Sequence, residues 1–414
     1  MKVLHVTQGY APALGGTELL IQRVSEELVR QFDDDVTIFT TDCYNGEGFF
    51  TPDAPRMQSG WAENNGVRIR RFPVRRGISR AARAIQEPLF KYNVPFNQYV
   101  RALAGGPVIA GLTRAIREQP ADVIAASSFP LLHMFAAARG ARQSGRPCVL
   151  HGGLHPEDIW GFRRSMIFRT IHEVDYIANT PFEADYVVQT GASADRVSAI
   201  GVGVDVAQFG RLAAAEARRQ LGLGEGPVVG FIGQLAAPKG VGTLIRAMPR
   251  VWQSDPGATL LIAGGRTAYL PSIETQIAAL PDEQRRRVRL IVDFDAALKG
   301  ALFDAIDVLA YPSGYESFGI AFLEAWAAGK PVIGCLRGAQ MDVVADGRDG
   351  LLVNFDDAPM LALAIVHLLS NPELRHVFGE AGRRKVLERY TWPHVARRFR
   401  DAYQRAIDRR TRRS

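Results

Sequence analysis

The stretch of sequence best suited to chemistry follows a predicted strand at 308–311. Ser317 and Gly319 are expected to open a helix there, and a helix N-terminus presents free N–H groups and a positive dipole to a phosphate. Glu316 comes just before that helix and Glu324 lies within it. Because Glu324 has apolar neighbours, its carboxylate should be buried and need a partner, which the paired ribose hydroxyls of a nucleotide would supply.

These two glutamates match a hydrolytic carboxylate pair poorly. Eight helical residues rise about 12 Å, whereas the two carboxylates of a glycoside hydrolase stand roughly 5–9.5 Å apart across one bond. The spacing favours two carboxylates that grip different parts of an extended ligand.

Two glycine-containing loops at predicted helix starts are candidates for holding a diphosphate. The first is Gly15-Gly16-Thr17, where a glycine pair after the first strand lets a ligand approach the backbone closely. A tight turn would look the same. The second runs from 233 to 240, where Lys239 beside a helix start is suited to neutralising a diphosphate leaving group. The alternative for Lys239 is a solvated surface lysine.

A histidine and a late glycine-rich turn complete the candidates. His151 follows a strand ending at 150 and stands beside two glycines, where the carboxyl end of a strand would meet a substrate. We prefer it to His155 because it is nearer the strand. The turn at 338–350 is equally consistent with a loop that lines a nucleotide pocket and with an ordinary surface turn.

The order of apolar runs predicts the elements that position these residues. A pattern of strand, glycine-containing loop, helix and strand fills the first forty residues and restarts near 226. Runs that are apolar throughout predict strands buried on both faces, hence parallel sheets covered by helices. The predicted strands are 3–7, 36–40, 122–126, 148–150, 176–178, 228–232, 259–263, 288–292, 308–311 and 331–334, and the predicted helices include 17–30, 241–251 and a last one at about 392–410.

The fold class is therefore α/β, with two Rossmann-like, doubly wound parallel-sheet domains in tandem. A chain of 414 residues, 47% apolar and 22% charged, can bury two cores of ordinary size. We place the domains at 1–206 and 207–391, with 207–226 as a connector and 44–66 as the least structured insertion.

No metal or redox chemistry is indicated. The three cysteines are far apart and form no CxxC pair, which fits a reducing cytosol. HExxH and a Cys/His cluster are both missing from the sequence, so we expect no metal and no cofactor beyond the co-substrate. The sequence also has no secretory h-region and no apolar run near about 18 residues. We expect a cytoplasmic protein.

The net charge of +7 comes mainly from two arginine clusters, one at Arg68–Arg83 and one in the tail from 397 to 413. Clustered arginine attracts phosphate-bearing partners such as lipid headgroups or a diphosphate-linked acceptor. For Arg68–Arg83 we leave two interpretations open, a solvated surface and contact with an anionic membrane, the latter at the inner membrane face. Nucleic acid is not expected, because neither an aromatic RNA-binding signature nor zinc-finger spacing is present.

Taken together, these pieces resemble glycosyltransferase family 4, the retaining enzymes of the GT-B fold. The strongest part is Glu316 to Glu324, which resembles that family's E-x7-E motif and continues as Ala-Trp-Ala-Ala-Gly-Lys-Pro-Val-Ile. Supporting matches are Gly-Gly-x-Glu at 15–18, Gly-Val-Asp at 203–205 and Lys-Gly at 239–240. The resemblance covers nearly the whole chain.

The resemblance implies two domains facing a central cleft and metal-independent transfer of a hexose from a nucleotide-diphosphate sugar, with retention by front-face attack. His151 would then lie beside the hexose, and Glu316 would bind it. Glu324 would bind the ribose, and Lys239 with Ser317, Phe318 and Gly319 the diphosphate. Gly15, Gly16 and Thr17 would lie on the acceptor side, with Gly16 between the donor phosphate and the acceptor. The helix from 392 to the end at 414 would cross back to the first domain.

Four departures bear on donor use. Gln234 stands where the family usually has arginine, and Arg266 is the expected substitute for the missing charge. Asp342 replaces a glutamate after the late turn, and Val202 replaces an asparagine before the connector. Asp293 stands where a glycine often follows its strand, which leaves the nucleotide open between UDP and GDP.

Two other functions stay in view. A GT-B sugar-nucleotide epimerase would bind the same donor without a separate acceptor, although the E-x7-E run speaks against it. A catalytically silent sugar-nucleotide-binding protein is suggested by Gln234. For the transferase, the acceptor could be a glycan, a lipid-linked sugar or a small molecule.

Overall fold

The computed structural model describes residues 1–13, 15–156, 158–162 and 164–412. Arg413, part of the predicted basic tail, and Ser414 lie outside the described residues. The chain divides into two compact units, which we call unit 1 (1–202 with 392–414) and unit 2 (203–391). The first unit thus ends at 202, before the boundary placed at 206 from the sequence.

Unit 1 is built on an eight-stranded sheet in the order β3-β4-β2-β1-β5-β6-β7-β8. Every strand pair is parallel except β3 with β4. Its middle strands are apolar and buried, as expected for a sheet covered on both faces. The strands are β1 (Lys2–Val6), β2 (Asp35–Thr41), β3 (Gly60–Asn64), β4 (Val67–Phe72), β5 (Val123–Ser127), β6 (Cys148–His151), β7 (Asp175–Ala178) and β8 (Val197–Ala199).

The helices of this part of the chain connect successive strands. They are α1 (Gly16–Phe32), α2 (Arg76–Lys91), α3 (Asn97–Gly105), α4 (Leu112–Glu118), α5 (Leu132–Ser144), α6 (Ile159–Phe162), α7 (Ser165–His172) and α8 (Pro181–Gln189). Leu28 of α1 and Met134 of α5 are fully buried against the sheet core.

Unit 2 holds a six-stranded, all-parallel sheet in the order β11-β10-β9-β12-β13-β14. The order reverses between β9 and β12, so these two strands, distant in sequence, end side by side. The strands are β9 (Val228–Ile232), β10 (Thr259–Gly264), β11 (Val288–Val292), β12 (Val308–Ala310), β13 (Val332–Cys335) and β14 (Gly350–Val353).

The helices of unit 2 are α9 (Ala214–Leu221), α10 (Val241–Ser254), α11 (Leu270–Ala278), α12 (Asp282–Arg285), α13 (Lys299–Ala305), α14 (Ile320–Ala327), α15 (Gln340–Val343), α16 (Ala358–Leu369) and α17 (Pro372–Arg389). The final helix, α18 (Trp392–Thr411), belongs to unit 1, where it packs on α1 and the central strands. Its Tyr403 hydroxyl lies 2.9 Å from Nε2 of the buried His5 in β1.

Two sequence predictions about irregular segments are wrong. The insertion at 44–66 contains β3, whose exposed, non-alternating residues give no strand pattern. The connector at 207–226 contains α9, which buries only two residues of its short length. Strand β4 is absent from the predicted strands. Its buried Val67 and Ile69 alternate with arginines of the basic cluster that point away from the core.

Candidate active site

Lys239 and Glu316 meet at the carboxyl ends of β9 and β12. Lys239 Nζ lies 2.6 Å from Glu316 Oε1 and 3.2 Å from the carbonyl oxygen of Tyr315. Their side chains are only 21% and 10% exposed, so Lys239 is not a freely solvated surface lysine. Because β9 and β12 are neighbours in the sheet, the loops that follow them converge, and the ion pair forms between residues 77 positions apart.

The backbone of these two loops is tied together around Gly240. Its φ is 78°, and a side chain there would overlap the carbonyl oxygen of Pro312. Gly314 N–H donates to Pro238 O at 2.7 Å. From the far side, the buried amide of Gln340 donates to Ser313 O at 2.6 Å. The sequence leaves open whether the late turn lines a nucleotide pocket or is an ordinary surface turn. In the structure it contributes Gln340, whose buried side chain is hydrogen-bonded to the loop that carries Glu316.

The helix α14 begins immediately after this loop. Gly319 is its N-cap, so the helix begins where the sequence predicts, and its φ of 94° is a left-handed conformation that favours glycine. Ser317 is partly buried. Phe318 is 2% exposed and packs on the ring of Tyr390 at 5.4 Å between centroids, so its side chain is not available to a ligand.

Glu324 lies on α14 and is 7% exposed. Its carboxylate is paired with Nζ of Lys299, the first residue of α13. Burial raises the pKa of Glu324, and the Lys299 ammonium opposes that rise. Sequence reasoning expected ribose as the partner and missed Lys299, because a lysine that starts a helix 25 positions away gives no sign of this pairing.

Arg266, the expected substitute for the charge missing at Gln234, is engaged elsewhere. Its Nε lies 3.1 Å from Asp293 Oδ2, and its backbone N–H donates to Oδ1 at 2.8 Å. Asp293 has φ 53°, so it adopts the left-handed conformation for which a glycine is usual. Gln234 itself is exposed. The backbone and side chain of Arg266 lower the pKa of Asp293.

In unit 1, His151 is the last residue of β6 and is 5% exposed. Its Nε2 lies 2.8 Å from Asn179 Oδ1, while Nδ1 has no hydrogen-bond partner among the described residues. Burial lowers the pKa of His151 to about 4. The ring is therefore neutral near pH 7 and offers one nitrogen lone pair. The other candidate, His155, packs on the Phe162 ring at 5.4 Å.

A buried carboxylate that sequence reasoning missed holds the loop after His151. Glu183 accepts hydrogen bonds from the Tyr176 hydroxyl at 2.6 Å, from Leu154 N–H at 2.9 Å and from Asn179 N–H at 2.8 Å. Burial raises its pKa, and these hydrogen bonds oppose the rise. Asn179 thus connects the carboxylate to His151.

Two further histidines of unit 1 are buried, so that His5, His133 and His151 form what we call the buried histidine set. Burial lowers the pKa of His5 to about 3 and that of His133 to about 4. His133 Nε2 lies 2.6 Å from Ser127 O. All three are neutral in the folded protein near pH 7.

The first glycine pair lies at the start of α1. Gly15 is its N-cap, without a side-chain cap, and Gly16 is exposed. The Glu18 carboxylate folds back over Gly15, where a side chain would overlap it, and it accepts a hydrogen bond from Gln8 Nε2 at 3.0 Å. Thr17 is partly buried. The N-terminus of α1 therefore already has an acidic side chain of the same helix, Glu18, next to it.

The predicted basic cluster Arg68–Arg83 is not one surface. Arg68 pairs with Asp35 at 2.7 Å. Arg76 is buried and donates to the carbonyl oxygens of Gly48, Pro52 and Ala54. Arg76 is therefore structural, and neither interpretation of the cluster, a solvated surface or contact with an anionic membrane, applies to it.

Across the described ranges, no group of three or more His, Cys, Asp or Glu residues is arranged to hold a metal ion. None of the described helices combines the length and apolar character needed to cross a membrane.

Two family models match the chain, "Glycosyl transferase 4-like domain" over residues 15–203 and "Glycosyl transferases group 1" over residues 214–385. The chain belongs to the family 4 glycosyltransferases. Together the matches cover both units. A D-inositol 3-phosphate glycosyltransferase of Corynebacterium urealyticum is 32% identical over 49% of this chain and 49% of that protein.

A phosphatidyl-myo-inositol mannosyltransferase of Mycobacterium leprae is 35% identical over 43% of this chain and 46% of that protein. The alignments thus span about half the length of the curated relatives they match. A crystal structure of Anabaena Alr3699/HepE in complex with UDP and glucose is 20% identical, with a TM-score of 0.72 over 98% of this chain and 99% of that one. This likeness confirms the predicted two-Rossmann-domain (GT-B) fold class.

Proposed function

We propose that this member of the family transfers a hexose from a nucleotide-diphosphate sugar to an acceptor hydroxyl, with retention and without a metal. The observation that carries the proposal is the Lys239–Glu316 pair at the N-terminal end of α14. It unites a cation for a leaving diphosphate, a carboxylate for sugar hydroxyls and a helix N-terminus for phosphate in one place.

In this proposal the residues keep distinct roles. Lys239, with backbone N–H groups at Ser317–Gly319, stabilises the charge that develops on the leaving diphosphate. Glu316, released from Lys239, accepts hydrogen bonds from the hexose. Glu324 binds ribose hydroxyls while its carboxylate stays paired with Lys299. Neutral His151 binds a hexose hydroxyl.

Gly15, Gly16 and Thr17 remain proposed contacts on the acceptor side. We propose a UDP- or GDP-sugar as donor and favour UDP first, because the solved Anabaena structure contains UDP and glucose. Gln234 and Arg266 stay candidate donor contacts, although Arg266 must leave Asp293 to reach a phosphate. The three cysteines are free and buried, which supports a cytoplasmic site of action.

The test is release of nucleoside diphosphate from UDP- and GDP-hexoses with EDTA present, for the parent and for Glu316→Gln and His151→Ala variants. The expected result is slow, EDTA-resistant release from one donor, reduced at least about tenfold in Glu316→Gln, the size of losing one charge-assisted contact, and about fivefold in His151→Ala, the size of losing a neutral one. Glu118→Gln, on the surface of α4 and exposed, is the matched control.

The same assay separates the alternatives. Isomerised donor without released nucleoside diphosphate would identify an epimerase. Donor binding with neither release nor isomerisation, in the presence of an acceptor panel that includes inositol phosphates, would identify a silent binder. Release that vanishes with EDTA would contradict metal independence.

We also propose contact with an anionic membrane, now confined to the exposed part of Arg68–Arg83. Arg80 and Arg83 are exposed on α2, and Arg75 is exposed just before it. The same helix exposes Ile85 (51%), followed by Tyr92 (74%). Exposed apolar side chains beside cations suit a surface of acidic headgroups.

Cosedimentation with phosphatidylglycerol vesicles tests this contact. Arg75→Glu with Arg80→Glu should lower the bound fraction at least about fivefold, since each arginine contributes about 1 kcal/mol near such a surface. Arg250→Glu with Arg348→Glu, at two exposed positions of unit 2, is the control that changes the net charge by the same amount. Equal binding of the two variants would remove the membrane contact.

A further inference from the structure

Two arginines of unit 1, Arg101 and Arg164, are buried without an ion pair. Arg101 lies on α3 and is 3% exposed, and Arg164 immediately precedes α7 and is 5% exposed. Among the described residues, neither side chain has a carboxylate within ion-pair distance. Arginine is almost never fully buried in a protein unless it is paired, so the fold holds two cations where a solvated surface would be their ordinary place.

Aromatic rings enclose the guanidinium group of Arg101. Its Cζ lies 4.6 Å from the centroid of the Phe90 ring and 5.0 Å from that of Trp160. These rings attract a cation through their faces, but they accept no hydrogen bond in the plane of the guanidinium. Arg101 Nε is buried and has no hydrogen-bond partner among the described residues. Its hydrogen-bonding capacity is thus still open to an anion.

Arg164 contacts the same tryptophan from another side. Its Nε and Nη2 donate to the carbonyl oxygen of Trp160 at 3.4 and 3.3 Å, which is long for hydrogen bonds from a charged donor. Burial and then the charge of Arg101 lower the pKa of Arg164 to about 10, while Asp158 opposes them. The two guanidinium groups are therefore close enough to repel each other.

The carboxylate of Asp158 attracts both arginines without pairing with either. It opposes the lowering of the pKa of Arg101, which burial causes, as it does for Arg164. Asp158 is exposed, however, and its Oδ1 accepts the Gly161 N–H at 2.9 Å. Even counted in full, one carboxylate does not balance two guanidinium charges. Buried surplus charge is costly unless an anion pairs with it.

Contacts between α3 and α7 fix the positions of the two arginines. Gln98 of α3 donates to Ser165 Oγ at 3.0 Å, and its Oε1 accepts the Met166 N–H at 3.1 Å. These bonds hold the beginning of α7, where Arg164 is the N-cap residue, beside the helix that carries Arg101. Guanidinium groups that are already in place bind an anion with little further loss of side-chain freedom.

We propose that Arg101 and Arg164 together bind a phosphate group. A phosphate dianion balances two guanidinium charges, and its oxygens fit the planar fork of arginine. Arg164 belongs to the chain segment that leaves His151 at the carboxyl end of β6, the edge at which doubly wound sheets bind ligands. Two sources share this chemistry, free inorganic phosphate and a phosphate monoester. A phosphorylated acceptor as the source rests on the proposed transferase function.

The test is calorimetric titration of inorganic phosphate into the full chain carrying Lys239→Ala, which removes the cation of the donor site. In that background, Arg101→Met should weaken binding at least about tenfold, the loss of one charge-assisted contact. Arg164→Met should have the same effect. Arg114→Met replaces an exposed arginine on α4 of the same unit and should leave binding unchanged.

Melting temperatures of these chains without phosphate separate binding from a structural role. Replacing a buried surplus charge by an apolar side chain of similar length should leave the melting temperature unchanged or raise it. If Arg101→Met alone fails to fold, Arg164→Met decides. A lowered melting temperature in both variants, or failure of both to fold, would show that the charges serve the fold and would overturn the proposal.

A parallel titration with glucose 6-phosphate distinguishes the sources. Tighter binding of this ester than of inorganic phosphate, lost in Arg101→Met, identifies a phosphate monoester, whereas equal or weaker binding identifies the free ion. Both titrations omit the sugar donor, so their outcome is independent of whether transfer occurs. Undetectable binding of both probes, or an equal loss in Arg114→Met, would overturn the proposal.

Discussion

Replacing Glu183 by glutamine tests whether this carboxylate positions His151. Glu183 Oε1 accepts from the Tyr176 hydroxyl and Leu154 N–H, and Oε2 accepts from Asn179 N–H. Glutamine has the same shape but only one acceptor oxygen, so its NH2 group must face a donor. The most favourable orientation keeps two of these hydrogen bonds and sets the NH2 against Asn179 N–H.

The expected cost follows from that geometry. One hydrogen bond to a charged acceptor is lost, worth about 1.5–3 kcal/mol, and the two that remain become neutral and weaker. Removing a buried charge is itself favourable and offsets part of this lost hydrogen-bond energy. The free energy of unfolding should therefore fall by about 2–4 kcal/mol, and the loop that begins at Gly152 should loosen and admit water to His151.

Two measurements check this result. Urea unfolding gives the change in stability, and an NMR titration of the imidazole follows the pKa of His151, which should rise from about 4 toward the ordinary histidine value of about 6.5. Glu118→Gln, an exposed glutamate of unit 1, should change neither. An unchanged pKa together with unchanged stability would refute a positioning role for Glu183.

Three further perturbations have expected outcomes. Gly152→Ala should cost about 3 kcal/mol or more in urea unfolding, because the new methyl overlaps the Tyr176 hydroxyl, whereas Gly77→Ala, with open space around it, should be neutral or slightly stabilising. Each member of the buried histidine set takes up a proton more readily in the unfolded chain than in the folded one. The free energy of unfolding should therefore fall as the pH drops from about 6.5 to 4, by up to about 3 kcal/mol per histidine. A free energy that stays constant in urea unfolding at pH 7, 6 and 5 would contradict this. Lys299→Ala leaves the buried Glu324 without its cation, so the melting temperature should drop more at pH 8 than at pH 5, while Lys299→Arg should retain the parent profile.

The parts of the fold that the sequence predicted share a local signal. The strand at 228–232 has the predicted bounds, because an apolar run flanked by glycine or polar loops encodes a buried parallel strand without help from distant residues. Strand β3 was missed because its residues are exposed or only partly buried on both faces, which leaves neither an apolar run nor an alternation in the sequence. Its existence depends on pairing with β4, which only the folded chain shows.

Site residues divide in the same way. Lys239 and Glu316 follow strands and open helices, so their position at the carboxyl edge of the sheet was predictable from the pattern. Glu183 and Lys299 were not, because each acts through a partner on another element. The Asn179–His151 contact exists since β6 and β7 are neighbours in the sheet, and a single sequence does not reveal strand order.

One feature unites the proposed donor contacts of unit 2: each charge already has a counter-charge from the chain. Lys239 is paired with Glu316 and Glu324 with Lys299. A partly buried unpaired charge would be costly, and these ion pairs avoid that cost while they hold the four side chains in place. A diphosphate that took Lys239 would free the Glu316 carboxylate at the moment when sugar hydroxyls arrive to bind it. Exchange of partners, rather than creation of new charge, would then let the site bind its donor at little electrostatic cost.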